Sequence, residues 1–368
     1  MGDDLSLRIE RALREQLEGG CSKGVFPGAS ACVGRWRDGV WIYVDVCSGL
    51  LGEGLGPVMN DAVYDLASLT KPWVATAALR LHQFGVFALD EGVASLVPEA
   101  EGLPIGDRTW EEVMSHRAGL EAWAPFYETL PHEPGSDEAR AWILTELLQH
   151  WDREKVGSPV YSDLGYILAG VALERATGAP LQDLVMLEVA APLGFDAEVF
   201  FAAARDDQGW NVRCAPTGWS DWRARDLRGE VHDDNCAALG GVAGHAGMFG
   251  SARAVARFGA AQVGALHGRM GSMAEERVRH ATSKRPGGVQ CLGWDGKADE
   301  GSVAGELIDA DAFGHLGFTG TSIWCDPRRQ LVTVLLTNRV AVSDDNAAIR
   351  RFRPAFQDAV MQAFDGSL

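Results

Sequence analysis

The sequence predicts an α/β (α+β) fold: an antiparallel sheet flanked by helices and built from both termini, with a mainly helical region inserted between them. Three observations lead there. Two β-like runs, GASACVGRW (28–36) and GVWIYVDVC (39–47), lie near the start, and strand-like runs return only at 313–338. Amphipathic helical patterns stand outside both sets, at 5–17 and 346–364. From about 86 to 240 the apolar residues recur mostly at helical spacing. The chain divides accordingly into a sheet-bearing part, 1–86 with 285–368, and a mainly helical region, 87–284.

Each element has its local reason. Leu5, Ile9, Leu13 and Leu17 recur every four residues, and Gly19-Gly20 end that first helix. Arg37-Asp38-Gly39 is turn-prone and joins the two early strands into a hairpin. Residues 50–61 read as a Gly-rich loop. A helix opened by Ser68 runs to about Phe84 and is stopped by Gly85. Segments 110–120 and 137–151 read as helical. LGYILAGVALERATG (164–178) is the clearest helix, with Leu164, Ile167, Leu168 and Val171 on one face and Gly178 at its C-terminus. The stretch 196–240, rich in Asp, Arg, Trp and Gly, predicts a long ordered loop, and 251–266 predicts a further helix. FGHLGFTGTSIWCD (313–326) and QLVTVLLTN (330–338) read as strands around the turn Asp326-Pro327-Arg328-Arg329. The last helix, 346–364, contains Pro354 as a start or a kink.

Composition limits the partners. With 33 basic and 51 acidic side chains the net charge is −18, which disfavours nucleic acid and anionic membranes, since both reward Lys/Arg patches. No stretch approaches the ~18 uninterrupted apolar residues of a membrane span. The N-terminus lacks the apolar core of a signal peptide. The 7 cysteines are scattered and form no C-x-x-C, as expected for reduced thiols. With Met1 as the start, these features predict a cytoplasmic protein. Composition leaves the oligomeric state open.

DLASLTKPW (65–73) carries the first chemical signal. The chain has few lysines (Lys23, Lys71, Lys155, Lys284, Lys297), and Lys71 stands at the mouth of a segment without charge until Arg80. On a helix Ser68 and Lys71 share a face, and the positive end of the helix favours a developing oxyanion. An ammonium in apolar surroundings loses proton affinity and can act as a base. Ser68 as a plain N-cap and Lys71 as a snorkelling surface residue explain the same letters. In SPVYSDLGY, Tyr161 either offers a phenol to relay a proton or is the apolar residue before a cap at Ser162 or Asp163. In GHLGFTGTS (314–322), Gly314, Gly317 and Gly320 suggest a strand edge that a ligand approaches, with His315 on it; a bulged strand is the alternative. His245 and VHDDN (231–235) match no metal-ligand spacing, and His245 reads as a loop-holding side chain. Trp110, Trp123, Trp210, Trp219 and Trp222 are divided between an acyl pocket and ordinary core.

Taken together and in this order, S-x-x-K, Y-S-D and H-L-G resemble the serine β-lactamase and penicillin-binding-protein superfamily, specifically its class C-like branch. MSHRAGL, GEVHDDNCAALGGVAGHAGMFGSA and VLLTNR extend the likeness from about Phe26 to the C-terminus. The resemblance implies a β-lactamase/transpeptidase-like fold and a serine acyl hydrolase with no cofactor and no metal, acting on a small-molecule ester or amide. It implies Ser68 as nucleophile, Lys71 and Tyr161 as its acid/base pair, and the Ser68 and Phe318 N–H groups as oxyanion hole. Asp163, His315, Gly317 and Arg339 are implied as substrate-binding positions. Two letters depart from the branch. Asp163 replaces an Asn, which holds Lys71 protonated more firmly. His315 replaces a Lys, which removes a fixed positive charge for a substrate carboxylate and leaves Arg339 as a replacement. Esterase activity is the first expectation. D-amino-acid peptidase, carboxypeptidase or weak β-lactamase activity comes next, and a catalytically silent binding protein is the alternative from another class.

Overall fold

The computed structural model describes residues 4–194, 198–205, 209–269, 271, 273–343, 345 and 347–366. Residues 196, 197 and 206–208 of the expected long loop, and Asn346 of the expected last helix, lie outside the described residues. The main sheet has six strands: β1 (Gly28–Arg37), β2 (Val40–Gly49), β3 (Asp295–Gly296), β4 (Phe313–Leu316), β5 (Ser322–Asp326) and β6 (Leu331–Thr337), in the order β2-β1-β6-β5-β4-β3 with every pairing antiparallel. The first hairpin turns on Asp38 and Gly39, both at positive φ, as a two-residue turn of this hand requires. Ala29 to Arg35 of β1 pair with Thr337 to Leu331 of β6, so the two ends of the chain meet inside one sheet.

Strand alternation sorts the core into two layers. Ala29, Ala31 and Val33 of β1 and Leu331 and Leu335 of β6 face helices α1 (Asp4–Ser22) and α5 (Ala347–Asp365), through Ile9, Leu13, Leu17, Phe356 and Val360. Cys32, Val332 and Val334 face the other way, towards helix α4 (Ala252–Leu266), whose Gly259 lets the helix approach Val332 and Ile323 closely. Residues 252–266, grouped above with the middle region, therefore pack on the sheet. Helices α2 (Thr70–Gln83) and α3 (Asp163–Thr177) lie in the large second core with Trp73, Leu79, Leu164 and Leu168.

Four expectations need correction. Residues 313–326 are two strands, because Gly317–Thr321 form a turn closed by Gly317 N–H donating to Thr321 O at 2.8 Å. The stretch 196–240 carries strand Val199–Phe201, the hairpin Gly218–Ser220/Arg225–Leu227 and a short helix, Asp234–Ala238. Val199–Phe201, Met248–Gly250 and Tyr64–Asp65 make a separate three-stranded sheet. Pro354 starts nothing; it lies inside α5.

Candidate active site

Ser68 sits in a 3₁₀ turn, Ala67–Leu69, and α2 begins only at Thr70. It is therefore not the N-cap. Pro72 falls in the first turn of α2, where no intrahelical donor is needed, so the S-x-x-K-P run is sterically admissible. Ala67 takes a φ of 49°, a costly conformation for a residue with a Cβ. Asp65 pins it: Oδ1 accepts the Ala67 N–H at 2.8 Å and Oδ2 accepts the His232 N–H at 2.6 Å. The 317–321 turn is fastened to the same backbone, with Thr319 donating to Asp65 O at 2.8 Å and Thr321 to Leu66 O at 3.1 Å. A Cβ on Gly317 would stand 2.6 Å from Leu66 O, so only glycine permits this approach.

Lys71 Nζ donates to Ser68 Oγ at 2.8 Å and to His245 O at 3.4 Å. It lies 2.6 Å from Asp163 Oδ1, a close charge contact. Burial lowers the proton affinity of this ammonium, but Asp163 and Tyr161 outweigh burial and leave it raised. Lys71 is thus held charged. Burial pushes the Tyr161 phenol up to about 12, against the pull of Lys71, and its hydroxyl stands against both Lys71 and Ser68. Ser162 is the N-cap of α3, its Oγ accepting the Gly165 N–H at 3.2 Å, which fixes Tyr161 just outside the helix and Asp163 at its first residue.

A cavity of about 440 Å³ opens over Ser68, walled by Asp163, Asp233, Asp234, Trp123 and Phe318 among others. The remaining expected positions behave differently from one another. Phe318 is half-exposed in the cavity wall. His315 is buried behind Tyr161, with ring centroids 5.9 Å apart, and its Nδ1 meets Leu316 O at 2.9 Å. Burial and Lys71 depress it to about 3, so it is a neutral imidazole that does not line the cavity. Arg339 is also turned away, with Nε donating to Phe318 O at 2.9 Å and Nη1 to Ser343 O at 3.1 Å. Neither replaces the absent cation. At Gly314 the glycine has a packing reason: β4 is paired on both sides at Phe313 and Gly314, and the space a Gly314 Cβ would need is filled by Trp324 and Ile323 O.

Several residues were missed from the sequence. Asp65 is one. His116, at φ 62°, accepts the Ser162 N–H on Nδ1 at 3.0 Å and packs its ring 4.7 Å from Tyr161. Asp233 caps the 234–238 helix by accepting the Cys236 N–H at 2.7 Å and meets His245 Nε2 at 2.9 Å. Burial would raise its carboxyl, but His245 and the Cys236 N–H hold it down at about 2. That contact accounts for the loop-holding role expected of His245. Among the named tryptophans only Trp123 lines the cavity; Trp110 and Trp210 are core.

The profile of the β-lactamase family matches residues 9–355. The chain belongs to the β-lactamase family. Its relatives include a protein of Escherichia coli (strain K12) named "Putative D-alanyl-D-alanine carboxypeptidase", 28% identical over 303 residues that cover 76% of this chain and 70% of the other. A protein of the same name from Salmonella agona (strain SL483) is 27% identical over 304 residues, with the same coverage of 76% and 70%. Among solved structures, EstCE1, a hydrolase with promiscuous acyltransferase activity, superposes with a TM-score of 0.75 at 22% identity, covering 97% of this chain and 99% of that one. A class C β-lactamase superposes with a TM-score of 0.74 at 17% identity over 100% of both chains. A β-lactamase/D-alanine carboxypeptidase from Pseudomonas syringae gives 0.72 at 17% identity, with 96% and 98% coverage. The protein is a serine hydrolase of the β-lactamase fold. Among the described residues no helix is long and apolar enough to cross a membrane.

Proposed function

We propose that the protein is an esterase that works through an acyl-enzyme on Ser68. The observation that carries this is the 2.8 Å contact of Lys71 Nζ with Ser68 Oγ at the floor of a cavity that also holds Phe318. Ser68 attacks the ester carbonyl, and the N–H groups of Ser68 and Phe318 receive the developing oxyanion. The Ser68 proton passes to the Lys71–Tyr161 pair. Because Lys71 is charged, it accepts this proton only as one of its own moves onto Asp163 across the 2.6 Å contact. The pair then returns a proton to the leaving alkoxide, and water releases the acid by the reverse sequence. His315 and Gly317 support the site from behind, and Arg339 orients the 318 peptide by binding the Phe318 carbonyl.

Esterase stands ahead of peptidase or β-lactamase because among the described residues no Lys or Arg lines the cavity to meet a substrate carboxylate. The names of the E. coli and Salmonella relatives favour a D-alanyl carboxypeptidase as second reading. All seven cysteines are free thiols, five of them buried, which supports placing the protein in the cytoplasm. The test is labelling of wild type and Ser68→Ala with a fluorophosphonate and with a fluorescent penicillin. Fluorophosphonate labelling alone, lost in Ser68→Ala, supports the esterase. Labelling by both probes favours the second reading, and labelling by neither overturns the hydrolase assignment of this site.

A further inference from the structure

Three carboxylates stand on the wall of the cavity, and each faces outward from a more buried basic side chain. Asp163 is 20% exposed while its partner Lys71 is 0%. Asp234 is 20% exposed and Arg223, 2.8 Å away, is 10%. Asp233 is 27% exposed and His245 is 2%. The ammonium and guanidinium stems lie in the protein behind the carboxylates, so a molecule in the cavity meets negative oxygens first. A second, independent feature points the same way. Trp123 and Phe318, two large aromatics in this wall, are 46% and 49% exposed, and aromatic faces attract ammonium groups. The net charge of −18 adds a long-range attraction for cations.

We infer that the preferred substrates carry a protonated amine within a few bonds of the scissile carbonyl, as amino-acyl esters and amides do. This rests on the acyl-hydrolase reading above and runs against the carboxylate recognition that the relatives' names suggest. The ammonium sits between the carboxylates of Asp233 and Asp234 and the aromatic walls, while the carbonyl carbon lies at Ser68 Oγ. A carboxylate in the same place meets three carboxylates first, and among the described lining residues it finds no Lys or Arg.

The experiment compares three p-nitrophenyl esters that differ only at the far end of the acyl chain: 3-aminopropanoyl, butanoyl and hemisuccinyl. At pH 7, with rates divided by background hydrolysis, the 3-aminopropanoyl ester should exceed the butanoyl ester about 10-fold in kcat/KM, and the hemisuccinyl ester should fall about 10-fold below it. Asp233→Asn and Asp234→Asn should each lower the cationic-to-neutral ratio several-fold, chiefly through KM. Because the ratio is internal to each protein, partial misfolding does not imitate the effect. Equal rates for all three esters, or a preference for hemisuccinyl, overturn the inference. A binding arm separates its failure from that of the hydrolase reading: Ser68→Ala is titrated with 3-aminopropananilide and with butananilide. At least 10-fold tighter Kd for the cationic anilide supports the inference even if no ester is turned over, and equal Kd values refute it.

Discussion

Asp163→Asn tests the Lys71–Asp163 pair directly, because it changes one oxygen to nitrogen and keeps the shape. At 2.6 Å and an effective dielectric of ~20, the charge attraction is about 6 kcal/mol. Part of that offsets the burial of Lys71, which is fully enclosed. Removing one member of such a buried pair typically costs about 3–5 kcal/mol. The cost has a pH signature. In the wild type the Lys71 pKa is raised, so its contribution is fully present below the unfolded value of ~10.4 and is lost only as pH rises through the folded one. In the variant the largest counterweight to burial is gone and only Tyr161 still opposes it, so the Lys71 pKa falls, and the penalty is greatest at low pH and shrinks as the ammonium sheds its proton. Urea unfolding should therefore show a deficit of about 3 kcal/mol at pH 6 that narrows by pH 9.

The same substitution should move catalysis in the opposite direction. A Lys71 that loses its proton more easily is a better acceptor from Ser68, so the rising limb of kcat against pH should shift to lower pH with a butanoyl ester. Stopped-flow and steady-state pH profiles of both proteins check this. A variant as stable as wild type at pH 6, together with an unchanged pH profile, would refute the view that Asp163 controls the Lys71 proton.

Two further predictions follow from neighbouring geometry. Lys71→Ala and Tyr161→Phe should each reduce turnover by ~10² or more, and the double variant should be little worse than either, since both groups handle one proton; additive losses would mean separate roles. Burial pushes Asp295 up to about 6, against the pull of Lys71, so its ionisation opposes folding above that pH and not below the unfolded value of ~3.9. Asp295→Asn should stabilise the protein by about 2–3 kcal/mol at pH 7.5 and leave it unchanged at pH 4, as read from denaturation midpoints; a gain at pH 4 as large as that at pH 7.5 would contradict the mechanism.

What could be read in the sequence was what local chemistry dictates. The hairpin follows from Asp38-Gly39, α3 from its apolar face and Ser162 cap, and the Ser68–Lys71 pair from a three-residue spacing. The second sheet was not readable, because strands of two or three residues such as Tyr64–Asp65 are too short to show alternation. The packing reasons for Gly314 and Gly317 were hidden for a related reason. Gly314 makes room for Trp324 and Gly317 for Leu66 O, and those neighbours come from elsewhere in the chain. Asp65 and His116 escaped notice, and Asp233 was weighed only as a metal ligand, because each acts on a backbone N–H or a ring brought to it by folding.

The polarity of the cavity belongs to the same class and has a simple cause. Counting 33 basic and 51 acidic side chains says nothing about which member of a pair faces the substrate. Side-chain length decides it. Lys and Arg have long apolar stems that can lie in the core and bring the charge up from beneath, whereas Asp ends one carbon from its Cβ and stays where its backbone puts it. Lys71 rises from inside α2, and Arg223 lies behind Asp234, donating also to Val231 O and His232 O at 2.8 Å. The three aspartates sit on short backbone segments at the rim: the first residue of α3, and the N-cap and first residue of the 234–238 helix. Helix N-termini attract carboxylates, and two such termini meet here. The acidic face over Ser68 therefore follows from where those helices begin, and it would persist if the lysine and arginine partners were exchanged for one another.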